Sequence, residues 1–373
     1  MKRIYLDNAA TTRLSDKALV EMKKAISFWP GNPSSPYAEG REAKWKLEEY
    51  RERCAFCLDC DPVEIIFTSG ATEGNNIVLN NFLEPDGPVL VMSSEIEHPS
   101  ARNVSFYQIP VNQDGMVSPS FGLAARTKCV SVMTANNEIG TIQPVREIAG
   151  FCRSKRIPFH TDATAAVGHI PVSFREIGAD FLTCSAHKFH GPRGVGILVM
   201  KRNATILESL MIGGNQERGM RPGTENLPGI AGMTAALEEA VVHLEENAIK
   251  TKRLRDMLMD RLLEIEGTTL NGDRENRLPG NINISFDGIE GESLITLLDA
   301  KGIAASAGSA CHTGTSKPSH VLTALGRTRR EALSALRLTL NEENTEEEID
   351  IAAAAIRESV EYLRQFTPKS NET

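Results

Sequence analysis

The sequence predicts an α/β fold: a doubly wound, mostly parallel sheet joined to a smaller α+β domain. Three observations lead there. Strand-like apolar runs alternate with helical stretches through the first half of the chain. The residues that suggest chemistry fall at the ends of those runs, and 373 residues exceed one ordinary core. Taken in order, helices are expected from Ser15 to about Cys60. Strands are expected at 64–67, 89–92, 129–133, 157–161, 180–184 and 195–200, most of them separated by helical stretches. Two helical segments from 228 to about 266, meeting near Asn247, carry the chain into the smaller domain. There 281–286 and 335–340 read as strands, 292–300 and 345–364 as helices, and 366–373 as a polar tail. The expected division is a large domain over 15–247 and a small one made of 1–14 with 248–373.

The chemistry is read from three segments. Lys188, in Cys184-Ser185-Ala186-His187-Lys188, follows a strand and lies between a Ser/His pair and the turn Gly191-Pro192. That is a setting in which pyridoxal phosphate is held as a Schiff base, with the ring as electron sink. The ring then needs a carboxylate beside its nitrogen, and Asp162 stands at the end of the apolar run that includes Ile157 and Phe159. The phosphate needs backbone N–H groups at a helix start. Thr68-Ser69-Gly70-Ala71-Thr72-Glu73-Gly74-Asn75-Asn76 supplies small residues there, directly after a strand. Each piece alone is ordinary: a surface lysine, a turn aspartate, a helix cap. Their order along the chain, each at a strand end, carries the reading.

With these motifs the chain resembles the NifS/IscS-type cysteine desulfurases, in the class V branch of fold-type I pyridoxal-phosphate enzymes. The resemblance runs from Tyr5-Leu6-Asp7-Asn8-Ala9-Ala10-Thr11-Thr12 through Asn136-Asn137-Glu138-Ile139-Gly140 and Arg221-Pro222-Gly223-Thr224 to Ser309-Ala310-Cys311, Pro318-Ser319-His320 and Arg337-Leu338-Thr339-Leu340. It implies that Lys188 holds the cofactor, Asp162 pairs with the pyridine nitrogen, and His98 stacks on the ring and assists proton transfer. Ala71, Thr72, Ser185 and His187 match phosphate-binding positions, and Thr224 matches a residue supplied by the partner subunit, so a homodimer is implied. Asn137 matches a contact to the ring hydroxyl and the substrate, and Arg337 the clamp on the substrate carboxylate. Cys311 would take the sulfur of L-cysteine as a persulfide, with His312 and Lys317 placed to lower its pKa. Alanine is the other product. The sulfur would pass to an iron–sulfur scaffold or another acceptor protein. Selenocysteine lyase is the neighbouring alternative, and a weakly active sulfur-relay scaffold is the alternative from another class.

Two positions depart from the family pattern. Ala165 stands where the family has a glutamine that donates to the ring hydroxyl, and Asn137 is expected to serve that oxygen instead. Asn341 stands where a glycine is frequent.

Composition agrees with an enzyme working in the cytoplasm. Hydrophobic residues make up 41% and charged residues 24% of the chain, ordinary globular values. A net charge of −8 argues against a nucleic-acid surface. The acidic run 341–348 reads as a turn and an acidic first helical turn capped by Asn344 or Thr345. No apolar run nears the length of a membrane span, and no leader pattern opens the chain. Seven cysteines without a secretory signal are expected as reduced thiols. Cys54, Cys57 and Cys60 could share one side of a helix, as iron–sulfur ligands would, but no fourth cysteine is near and core packing is the preferred reading. Cys129, Cys152 and Cys184 read as core. No metal site is expected.

Overall fold

A computed structural model describes residues 3–83, 91–105, 107–205, 207–307 and 317–366. The chain opens with strand β1 (Ile4–Tyr5) and helices α1 (Asp16–Phe28) and α2 (Ala38–Leu58). Ser15 caps α1 by accepting from the Ala18 N–H, and α2 stops where Asp59 turns left-handed. Then come β2 (Ile65–Thr68), α3 (Ala71–Asn80), β3 (Val91–Ser94), α4 (Pro99–Arg102), β4 (Tyr107–Ile109), β5 (Cys129–Ser131) and α5 (Val145–Ser154). In α5, Val145, Ile148, Ala149 and Cys152 are buried, the spacing of a helix with one face on a sheet. Next are β6 (Phe159–Asp162), α6 (Phe174–Ile177), β7 (Phe181–Ser185) and β8 (Gly196–Met200), then α7 (Leu227–Val242) and α8 (Leu244–Leu263). The remainder comprises β9 (Thr268–Leu270), β10 (Asn281–Phe286), α9 (Gly291–Ala300), β11 (Ile303–Ala304), β12 (Ser306–Ala307), α10 (His320–Ala324), α11 (Arg329–Leu333), β13 (Ala335–Thr339) and α12 (Glu346–Arg364).

The large sheet is seven-stranded, in the order β2-β8-β7-β6-β5-β3-β4. Its strands from β7 to β4 are parallel, while β8 runs antiparallel to both β7 and β2. Two reversals cancel, so β2 ends at the same edge as β5, β6 and β7. The loops after β2, β3, β5, β6 and β7 therefore meet, and every expected large-sheet site residue except Thr224 is on or beside them. The main core lies between this sheet and α1, α2, α5 and α7. A second sheet, β12-β13-β10-β9, is antiparallel and packs on α8, α9 and α12 around a separate core. The first residues join this part: β1 pairs with β11, and Asp7 bridges Thr339.

Several expectations change in detail. The two helices after residue 226 meet at His243, not Asn247. Cys60 lies past the end of α2, so the three thiols do not share a helix face. Cys54 and Cys60 are buried, and Cys54 Sγ lies 3.2 Å from Thr234 Oγ1. Thr345, not Asn344, caps α12, in a capping box with Glu348. Asn341 has an ordinary turn role: its side chain accepts from the Glu343 N–H, and its N–H donates to Asn344 Oδ1. Cys129, Cys152 and Cys184 are fully buried.

Candidate active site

A cleft of about 490 Å³ opens where the strand ends of the large sheet face β13 and residues 8–10. Ala71, Thr72, His98, Asn137, Asp162, Ser185, His187, Lys188 and Arg337 all line it. Residues 71 to 337 of the sequence thus converge on one space.

Asp162 ends β6 and is 4% exposed. Its Oδ1 accepts from the Thr164 N–H at 2.9 Å, and its Oδ2 from Asn75 Nδ2 at 2.7 Å. Asn75 reaches it from the first turns of α3. Gly74 lets that helix press onto β7, because a Cβ there would meet Thr183 Cγ2 at 2.6 Å. The start of α3 is suited to cradle an anion. Gly70 precedes it at φ 150°, a conformation reserved for glycine, and Gly70, Ala71 and Thr72 line the cleft together with Ser185 and His187. The one carboxylate of that turn, Glu73, is already engaged by Arg221 Nε at 3.0 Å and the Ser69 N–H at 2.7 Å. His187 is held neutral: burial, then Lys188 and Arg193, pull its pKa down to about 4.

Lys188 sits on the single helical turn after β7. Its Nζ donates to Ala9 O at 2.6 Å and Ala10 O at 2.9 Å. Burial and then the Arg337 guanidinium pull its pKa down to about 8, which raises the share of neutral, nucleophilic amine near neutral pH. Arg337, on β13, donates to Asp7 Oδ1 at 2.9 Å and Asn137 O at 3.4 Å, and its Nε has no partner. His98 caps α4, and its pKa is lowered by burial. Ala165 lines the cleft with a methyl group and offers no donor.

Two expected residues are not in this group. Thr224 is exposed, outside the cleft, and Cys311, with His312, lies outside the described residues. Others were missed from sequence. Asn8, Thr164, Asn281 and Thr339 line the cleft, and Asn75 fixes Asp162 from behind. The motif around Asn8 and the phosphate loop around Asn75 were visible, but not the direction of either side chain.

The residues present fit pyridoxal phosphate. Asn8 Oδ1, Thr164 Oγ1, Asn281 Oδ1, Arg337 Nε and Thr339 Oγ1 are buried polar atoms without partners, and all belong to residues lining this cleft. Orphaned groups gathered in one cleft mark a polar ligand site.

A lysine, an acid and an anion cradle at the strand ends of such a sheet define a pyridoxal-phosphate enzyme. The family model for aminotransferase class-V matches residues 4–351, and the chain belongs to that family, among its NifS/IscS-type cysteine desulfurases. It is 40% identical to cysteine desulfurase IscS of Methanosarcina thermophila, over 98% of this chain and 94% of the relative. Among solved structures it is similar to a NifS-like protein at TM-score 0.89 and 37% identity, covering 96% of this chain and all of that one. It is also similar to SspA in complex with cysteine, at TM-score 0.78 and 30% identity, covering 90% of this chain and 98% of that one.

Proposed function

We propose that this enzyme converts L-cysteine to L-alanine and passes the sulfur on as a persulfide of Cys311. The observation that carries the reading is the placing of Arg337 across one cleft from Lys188 and Asp162. A carboxylate clamp facing an activated amine suits an α-amino acid. When bound, pyridoxal phosphate supplies an electron sink that acidifies the amino acid's Cα–H. Lys188 would hold the cofactor, Asp162 the proton on its ring nitrogen, and the Ala71 and Thr72 N–H groups with Ser185 and His187 its phosphate. Asn137 has its side-chain amide available at the cleft for the ring hydroxyl and substrate, which would offset Ala165. Arg337 orients the substrate carboxylate, and the free Lys188 amine, with its lowered pKa, can take the Cα proton.

For Cys311, the support is where its neighbours attach. Ser306 pairs with Arg337 across β12 and β13, Ser319 Oγ donates to Glu138 Oε2 at 2.6 Å, and His320 Nε2 bonds Glu97 O at 3.0 Å. Both flanks of 308–316 thus attach beside the cleft. The Cys311 thiolate would attack the substrate sulfur. An S–S bond forms, the Cβ–S bond breaks, and its electron pair stays on the carbon skeleton to be protonated to alanine.

Thr224 would complete the cleft of a second copy, making the enzyme a homodimer. Its loop also exposes Leu210, Met211 and Ile212, an apolar group suited to such a contact. Six described cysteines are free thiols, which suits a reducing cytoplasm, and iron–sulfur scaffolds or other thiol carriers suit the product. Among the described residues no helix is long and apolar enough to cross a membrane.

The test is release of sulfide and alanine from L-cysteine beside L-selenocysteine, with reductant, by protein loaded with pyridoxal phosphate. Equimolar alanine and sulfide are expected. Cys311→Ser should keep the yellow lysine-bound cofactor and lose the persulfide. Turnover of selenocysteine alone would make the enzyme a lyase, and wild-type sulfide release by the serine variant would remove Cys311 from the reaction.

A further inference from the structure

We propose that Asn75 and Ser100 form a positioning bridge that ties Asp162 to His98 and holds the His98 ring as its Nε2–H tautomer. The inference rests on the proposed function only in taking Asp162 and His98 as the groups that would meet the cofactor ring.

Each donor in this chain, buried at Asn75 and exposed at its His98 end, can be assigned in turn. Asn75 is fully buried, and its Oδ1 accepts from the Thr183 hydroxyl. That fixes the amide, so Nδ2 faces both Asp162 Oδ2, at 2.7 Å, and Ser100 Oγ, at 2.9 Å. With the Thr183 hydrogen committed, His160 Nε2 is the donor in its 3.3 Å contact with Thr183 Oγ1. His160 Nδ1 then accepts from Ser131 Oγ at 2.8 Å. This neutral state agrees with the burial that pulls the His160 pKa down to about 4.

On the other side, Ser100 Oγ receives the Asn75 N–H and keeps its own hydrogen for His98 Nδ1, 2.8 Å away. The Ser100 backbone N–H points at the same nitrogen from 3.2 Å. Two donors on Nδ1 leave the ring hydrogen on Nε2, and a proton arriving at Nδ1 would face both of them. The charged and titratable groups near His98 are Asp162, which favours its protonation, and Lys188, which opposes it; His320 is a further neighbour. His98 therefore offers the cleft an N–H donor, and its protonation is opposed through a residue that also braces Asp162.

The test is ¹⁵N NMR of histidine-labelled protein, with and without pyridoxal phosphate, His98 being assigned by its loss in His98→Gln. In the wild type, Nδ1 is expected unprotonated and Nε2 protonated at pH 8. Ser100→Ala removes the hydroxyl that favours the neutral ring, so the His98 midpoint should rise by about half to one pH unit and both tautomers should appear. Ser100→Thr, which keeps the hydroxyl, should restore the wild-type midpoint. Asn75→Ala should also raise the midpoint, and in loaded protein it should move the pH at which the cofactor band changes, because Asp162 loses a donor. A wild-type His98 protonated at Nδ1, or Ser100→Ala titrating as the wild type, would overturn the bridge. Failure of the functional reading shows separately, as wild-type protein that retains no cofactor or releases no alanine.

Discussion

Glu97, one residue before His98, has no role in the proposed reaction, yet it is fully buried. One oxygen accepts from Ser94 Oγ at 2.5 Å and the Met133 N–H at 2.8 Å, and the other has no partner. Burial, reinforced by the nearby Asp162 charge, pushes its pKa up to about 8, so the folded protein carries it protonated at neutral pH. An unfolded chain releases that proton above the ordinary carboxylate range. Stability contributed through this group therefore falls as pH rises through the interval up to about 8. Glu97→Gln keeps the shape without the titration, so melting temperatures should move in the variant's favour from about pH 5 to about pH 8 and then level off. A constant difference would exclude a titrating Glu97. At this scale the sequence was most informative about which residues gather: Lys188, Asp162 and Arg337, each singled out for its chemical type, all line one cleft. Asn75 was not legible because its meaning comes from Asp162 and Thr183, 87 and 108 positions away. Thr164 was overshadowed by its neighbour Ala165, although its own hydroxyl is the orphan.

Helix α3 is where local packing and ligand placement meet. Its inner face rests on β7 through Gly74, and its first turn lines the cleft where the proposed phosphate site lies. Gly74→Ala should push the helix from the sheet, lowering stability by about 1–3 kcal/mol and weakening cofactor binding. Adding Thr183→Ser removes the methyl in the way while keeping the hydroxyl for Asn75. The double variant should recover most of both losses in denaturant titration and cofactor affinity; no recovery would mean that Gly74 serves some other purpose. The long elements were legible because their patterns are internal to them: β10 was expected at its observed bounds, and α9 and α12 within one residue. The junction at His243 was displaced because Glu245 and Glu246 form an acidic first turn of α8, a stronger start signal than Asn247. Strands β1, β4, β9, β11 and β12 have two or three residues each, too short for any periodicity, and exist only through their neighbours.

Across the whole molecule, residues 4–12 span the two cores. Ile4 and Leu6 pack in the smaller one, Asp7 pairs with Arg337, and Ala9 and Ala10 receive the Lys188 amine. The Thr12 N–H closes the path by donating to His187 O at 2.9 Å. Removing residues 1–10 should leave most of the far-ultraviolet circular dichroism intact, since the large sheet and its helices do not depend on them, while cofactor retention is lost. Retention at wild-type affinity would show the arm to be ornamental. The broad architecture was legible because alternating elements admit few topologies, whereas the arm's course was not, since nothing local says which distant strand it will join. That course has a consequence for synthesis. Ile4 waits for Ile303, and Asp7 for Thr339, so residues synthesised well before these partners are among the last to find their places. A nascent chain halted after β8 could assemble the lysine, the acid and the anion cradle, yet it would lack the partners that draw the arm over them. The cleft is thus closed late, only when residues 4–10 are pinned by β11 and β13.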